Sequence, residues 1–234
     1  MTWKQVFTSS VGKKLVMGLT GISLILFLVV HASINATVFA DLVDSNENGE
    51  MFNKAAHFMG STVLIRIMEI GLFAGIILHI LQGYLLTLEN QQKRKVGYAV
   101  AYKDGSKWYS RSMGLLGTLI LLFLILHLYH FWVSARFTGN GLEEEVTYNG
   151  VKMHNMFGLM KATFTEWWIL VIYALGCISL CYHLAHGFQS AFKTLGVHNK
   201  RYNLMLTSIG YGFSVIIALV FIMMPVSFYF GWIN

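Results

Sequence analysis

Proline occurs once in this 234-residue chain, cysteine twice, and charged residues make up only 12%. A soluble domain carries about 25% charged residues, so a surface built to face water is excluded for most of the chain. With Pro225 the only proline, every long apolar stretch but the one that holds it is free of proline. The broken helices and inverted repeats that transporters often use find no support, because no repeat is evident and Pro225 stands alone. Cys177 and Cys181 lie four apart and read as packing thiols. No low-complexity tract is present, and no nucleic-acid module stands behind the formal net charge of +6. No small-residue cleavage site follows a short apolar core, so a cleavable signal peptide is not expected.

What the chain does have is apolar length. It is 56% hydrophobic, and five runs, about 14–40, 61–88, 112–135, 165–192 and 204–230, exceed the roughly 20 residues needed to cross a bilayer core. Backbone groups inside lipid must be bonded within their own segment, so each run is expected to be a helix. The chain reads as one domain over 1–234, an all-α membrane protein forming a five-transmembrane-helix bundle. Its charges are asymmetric. Lys4, Lys13 and Lys14 precede the first run; Lys93, Arg94, Lys95, Lys103, Lys107 and Arg111 fill the second connector; Lys193, Lys200 and Arg201 fill the fourth. The first and third connectors carry Asp41, Asp44, Glu47, Glu50 and Glu143, Glu144, Glu145. The positive-inside rule then places the N-terminus in the cytoplasm and the C-terminus outside.

Four successive runs each hold a histidine: His31, His79, His127 and His183. An intramembrane ionisable residue is by default a functional hypothesis. Helical rise converts charged anchors into depths. His31 is 17 residues past Lys14 and His127 is 16 past Arg111, about 25 and 24 Å from the inner edge. His79 is 14 before Lys93 and His183 is 10 before Lys193, about 21 and 15 Å from it. The depths group His31 with His127 in the outer half, and His79 with His183 nearer the cytoplasm. Two pairs of imidazoles at two levels can hold two haem irons, and a bis-histidine haem serves electron transfer because both axial positions are filled. No C-x-x-C-H occurs, so covalent haem attachment is not indicated. His130 and His186 follow His127 and His183 by three residues, on a similar helix face, and depth alone leaves either member of each doublet open as the ligand. Gly71, Gly75 and Gly83 share a face with His79, and Gly187 follows His183 at i+4; they leave room for a flat macrocycle or allow close helix packing.

Beyond the residues themselves, the chain resembles the dihaem cytochrome b subunit of succinate dehydrogenase and fumarate reductase, the single-chain type with five membrane helices. The resemblance covers most of the length. Its best local match is F-N-K-A-A-H-F-M (Phe52–Met59), similar to the outer connector of Gram-positive members. V-H-A-S-I-N (Val30–Asn35), H-I-L-Q-G (His79–Gly83), L-H-L-Y (Leu126–Tyr129) and Y-H-L-A-H-G-F (Tyr182–Phe188), followed by Leu195-Gly196, also match in order and spacing. The resemblance implies that His183 and His127 are the ligands within their doublets, with His31 and His127 on the outer haem iron and His79 and His183 on the inner one. It implies two haem b groups and a quinone, with menaquinone the expected type. The implied partners are a flavoprotein and an iron–sulfur subunit in a bacterial cytoplasmic (inner) membrane, in a complex that can oligomerise. Electrons would pass from the iron–sulfur subunit to quinone. The chain has no flavin or iron–sulfur motif, so dicarboxylate chemistry is not expected on it. It departs from some fumarate reductases at Cys181, where those carry a glutamate proposed to move protons across the membrane.

The other polar residues divide between anchoring and function. Arg66 and Glu69, three apart, read as an interfacial ion pair or as a proton relay and quinone contact beside the outer haem, with His57 able to exchange protons there. Lys193 reads as a positive-inside anchor or as a partner for an inner-haem propionate. His154 and His198 are expected to be solvated, as is Glu143–Glu145. Trp3, Trp108, Trp132, Trp167, Trp168 and Trp232 lie near the ends of the runs, as an aromatic belt would. The rival functions are the dihaem anchor of a hydrogenase or formate dehydrogenase and, in a different class, a histidine-dependent proton or metal transporter.

Overall fold

A computed structural model of the chain describes residues 9–44, 48–92, 107–139, 142, 145–197 and 199–233. Glu143, Glu144, His198, Lys93, Arg94, Lys95 and Lys103 therefore lie outside the described residues. Helix α1 spans Ser10–Ala36 and runs into a 3-10 turn over Thr37–Leu42. Helix α2 is Glu50–Ser61, α3 is Val63–Gln92, and α4 is the single turn Trp108–Arg111. Helix α5, Met113–His127, passes into a π-helical stretch over Leu128–Thr138. Strands β1 (Glu145–Tyr148) and β2 (Val151–His154) precede α6 (Met156–Thr163), α7 (Trp167–Thr194) and α8 (Lys200–Tyr229).

Among the described residues, five helices are long and apolar enough to cross a membrane: Ser10–Leu42, Val63–Gln92, Met113–Thr138, Trp167–Thr194 and Tyr202–Tyr229. They match the five apolar runs to within a few residues, and the chain is a multi-pass membrane protein. Large apolar side chains such as Leu26, Ile67, Ile77, Leu122, Leu175 and Leu219 are exposed along these helices, as they are in a protein whose solvent is hydrocarbon. Pro225 sits inside α8 and is buried.

Contacts divide the described residues into two compact units. The first draws on Met1–Phe27, Ile70–Leu119 and Ser179–Val215. Within it Lys13 of α1 is buried and paired with Glu89 of α3, so an anchoring lysine is also a helix-to-helix tie. A Cβ on Gly210 would meet the Phe188 ring at 2.9 Å, and one on Gly114 would meet Thr87 at the same distance. These small residues let helix backbones approach closely.

The second unit draws on Leu28–Glu69, Ile120–Ile178 and Ile216–Asn234. Its core joins Val38, Phe52, Phe157, Phe164, Tyr173, Met224, Phe228 and Ile233. The sequence reading did not anticipate its connector structure. β1 and β2 pair antiparallel, Glu145 opposite His154 and Tyr148 opposite Val151. Asn149 and Gly150 both have positive φ, 53° and 78°, the two-residue turn that an Asn-Gly step favours. Glu145 is therefore a strand residue, 3.6 Å from Lys152. Asn53 of α2 is fully buried. Its side-chain oxygen accepts from the Phe157 N–H at 2.9 Å, and its amide donates to Asn155 Oδ1 at 3.2 Å. Asn155 also caps α6, accepting from the Gly158 N–H at 2.9 Å, which satisfies a donor the first helical turn leaves unpaired.

Candidate functional site

The second unit contains His31 and His127, with ring centroids 5.8 Å apart and planes at 87°. The first contains His79 and His183, at 6.2 Å and 65°. Each pair lies inside one unit, on α1 with α5 and on α3 with α7.

Aromatic side chains crowd the first of these pairs. Phe221 lies 5.6 Å from His31, and Phe123, Phe131 and Tyr173 lie 5.7, 5.3 and 6.0 Å from His127. The α5–α7 approach is tight here, since a Cβ on Gly176 would meet Phe123 at 2.5 Å. His127 is the last residue of α5, and His130 lies in the π-helical stretch that follows. The His130 ring stacks on Tyr173 at 8° between planes, and its Nδ1 is 3.0 Å from the Tyr173 hydroxyl. His127 Nδ1, by contrast, is buried with no hydrogen-bond partner. On α1, Asn35 donates to the His31 carbonyl at 2.8 Å and sits 3.4 Å from His31 Nδ1, too long a contact to fix the tautomer.

At the other pair, His79 Nδ1 is 3.0 Å from the hydroxyl of Thr20, and His183 Nδ1 is buried without a partner. The glycines that meet these rings are Gly21 and Gly117. A Cβ on Gly21 would lie 3.7 Å from His79 Cε1, and one on Gly117 3.9 Å from His183 Cε1. Of the glycines spaced to share a helix face with these histidines, Gly83 faces Met17 at 3.7 Å, Gly71 and Gly75 face open space, and only Gly187 comes near a histidine ring, 4.0 Å from His183. Spacing within one helix places residues on one face but does not say which neighbour that face meets. Lys193 lies in the last turn of α7, exposed. In the same unit Lys107 is hydrogen-bonded to Tyr211, which stands 2.7 Å from Tyr109. These hydroxyls, Tyr211 first, stabilise the ammonium and push the Lys107 pKa above its ordinary value.

Both pairs fit a bis-histidine iron. Two imidazoles sharing one metal through bonds of about 2.0–2.1 Å place their centroids about 6.3 Å apart. Ordinary aromatic contacts also span about 4.5–7 Å, so distance alone does not separate the two. One member of each pair also carries a buried Nδ1 with no hydrogen-bond partner among the described residues, a polar atom whose burial costs about 1–3 kcal/mol. Among the described residues no three His, Cys, Asp or Glu side chains converge on a metal position. A full protein ligand set is thus not offered, whereas a haem iron asks the protein only for its axial ligands.

Glu69 of α3 belongs to a cluster in the second unit. Its Oε1 accepts from the Trp132 indole N–H. Its Oε2 lies 3.3 Å from Arg136 Nη2 and 3.4 Å from Arg66 Nη1. Arg136 also donates to the Gly60 carbonyl at 3.4 Å. The Arg66–Glu69 pair was legible from its spacing; Arg136 and the hydrogen bond of Trp132 were not, because they come from a helix more than sixty residues away. A second arginine, directly after the third apolar run, was the available signal. His57 is half-buried on α2, and among the described residues the structure shows no hydrogen bond from it to Glu69 or Arg66. The two cysteines are free, Cys177 buried and Cys181 partly so.

No family model, curated protein or solved structure matches the chain.

Proposed function

We propose that this chain is the dihaem cytochrome b membrane anchor of a succinate:quinone oxidoreductase in a bacterial inner membrane, seated beside a flavoprotein and an iron–sulfur subunit. The observation that carries the reading is the pairing of four histidines from four membrane helices, with ring centroids 5.8 and 6.2 Å apart. His31 and His127 would hold one haem b, and His79 and His183 the other. Haem, when bound, supplies one-electron transfer at an iron closed to other ligands.

The protein's own part is binding, orientation and exclusion of water. Phe123, Phe131 and Phe221 surround the His31–His127 pair with apolar rings, so water cannot compete for the nitrogens. The resemblance selects His127 over His130 as the ligand of its doublet, and the His127 ring is the one that faces His31, at 5.8 Å. Glu69 is the carboxylate available for proton exchange with a quinone, a reaction that needs a donor or acceptor within hydrogen-bond reach. Arg66, with 46% of its side chain exposed, is the donor of the Glu69 cluster best placed to move aside, and His57, half-buried on α2, would exchange protons with outside water.

A reduced-minus-oxidised visible spectrum of the purified chain tests the reading. Two haem b per chain, with each single histidine variant losing one, is the expected result. A colourless chain after expression with ample haem removes the proposal. The proposed orientation places a reporter fused after Asn234 outside the cytoplasm and one inserted at Lys103 inside.

A further inference from the structure

We infer that Thr20 locks His79 in the tautomer protonated at Nδ1, so that a hydroxyl on α1 presents the Nε2 lone pair of the α3 histidine for ligation. What Nε2 then binds rests on the haem reading above; the lock itself rests on the geometry alone.

A hydroxyl has one hydrogen and two lone pairs. Thr20 Oγ1 lies 2.7 Å from the Val16 carbonyl oxygen, 3.3 Å from that of Met17 and 3.0 Å from His79 Nδ1. Threonines in helices use their hydrogen on the carbonyl one turn back, and 2.7 Å is the ordinary O–H···O length. Turning that hydrogen toward His79 would leave two oxygens 2.7 Å apart with nothing between them. The hydrogen therefore stays on Val16, and Thr20 meets His79 as an acceptor, at the ordinary N–H···O length of about 3.0 Å. A neutral imidazole carries one proton. With that proton on Nδ1, Nε2 is bare.

Two adjacent residues of α1 cooperate in this. Thr20 supplies the acceptor, and Gly21, lacking a side chain, lets the ring edge approach, with a Cβ there meeting His79 Cε1 at 3.7 Å. His79 differs in this from His127 and His183, whose Nδ1 atoms are buried without a partner. It differs also from His31, whose Nδ1 lies 3.4 Å from an amide nitrogen, a donor. An acceptor on the far nitrogen fixes ring orientation and raises the basicity of the ligating one, and removing such a partner typically lowers affinity about 10–100-fold. Thr20 is a positioning residue, acting through His79.

The test reads the tautomer directly. The full chain, labelled with 15N-histidine and purified in detergent without haem, is compared with Thr20→Val, Thr20→Ser and, for assignment, His79→Gln. The lock requires the wild-type and Thr20→Ser His79 signals to show protonation at Nδ1, with Thr20→Val moving toward the Nε2-protonated form. A wild-type His79 protonated at Nε2 overturns the inference without any variant, and so does a Thr20→Val spectrum identical to wild type. In the haem-loaded chain, Thr20→Val should weaken retention of the haem at the His79–His183 pair about 10–100-fold. It should also raise that haem's midpoint potential, since a less basic ligand favours ferric iron less, and Thr20→Ser should restore both. Unchanged retention and potential would show that the hydroxyl does not serve ligation and overturn that half of the inference. A wild-type chain that takes up no haem while His79 stays protonated at Nδ1 refutes the haem reading and supports the lock.

Discussion

Gly21 offers a graded steric test of the His79–His183 pair. A Cβ at this position lies 3.7 Å from His79 Cε1, ordinary van der Waals contact, so Gly21→Ala fits without displacement. It also gains up to about 0.8–1.0 kcal/mol of helix propensity, and the variant should be as stable as wild type or slightly more so. Gly21→Val is different. Its two γ carbons hold essentially one rotamer in a helix and each extends about 1.5 Å beyond Cβ. A γ carbon directed at the ring would approach to about 2.2 Å, far inside the contact distance of roughly 3.5–4.0 Å. The ring must move, and overpacking of this kind costs about 1–3 kcal/mol, or about 5- to 150-fold in affinity. The assay is haem content per chain and haem retention against an apo-haemoprotein acceptor, followed by visible spectroscopy. Gly21→Val should weaken one haem and spare the other. Gly71→Val, on an exposed position with nothing within 4 Å, should spare both. Wild-type retention of both haems in Gly21→Val would refute the reasoning, as would loss of a haem in Gly21→Ala.

Three further outcomes are expected. His127→Ala should reduce haem from two per chain to one while His130→Ala keeps two, because His127 is the ring that faces His31; the reverse result in a pyridine haemochrome assay reassigns the doublet. Glu69→Gln should slow quinone reduction by about 10²–10⁴-fold, the usual contribution of a proton-transferring group, with both haems and dye-linked succinate oxidation intact; unchanged quinone turnover moves the site away from Glu69. Asn53→Ala strands the Phe157 N–H, which donates to the fully buried Asn53 side chain at 2.9 Å. It should cost about 1–3 kcal/mol and, at about 2–4 °C per kcal/mol for a chain of this size, lower the thermal midpoint by several degrees, measured by circular dichroism in detergent.

The Asn-Gly step at 149–150 shows how the hairpin of the third connector was legible in principle. Two residues that accept positive φ, between segments carrying Val146, Tyr148, Val151 and Met153, form a strong short-range hairpin signal, and Glu145 obscured it by reading as part of a charged loop. Arg136 shows the opposite case. Nothing within its own segment says that it reaches Glu69, because the contact depends on how two helices are turned toward each other.

Sequence by itself determined the five membrane helices and the grouping of the histidines by level. Both follow from one-dimensional quantities, the length of apolar runs and the number of residues between a histidine and its charged anchor, and backbone bonding inside lipid leaves no alternative to the helix. Those groupings correspond to the rings that face each other at 5.8 and 6.2 Å. Tertiary structure alone decided which glycine meets which ring, that Thr20 stands against His79, that Tyr173 takes His130, and that Arg136 joins Glu69. Each of these depends on the rotation of a helix about its own axis. In helices apolar on nearly every face, no hydrophobic stripe records that rotation in the sequence, and a π-helical stretch beginning directly after His127 shifts the side-chain phase again.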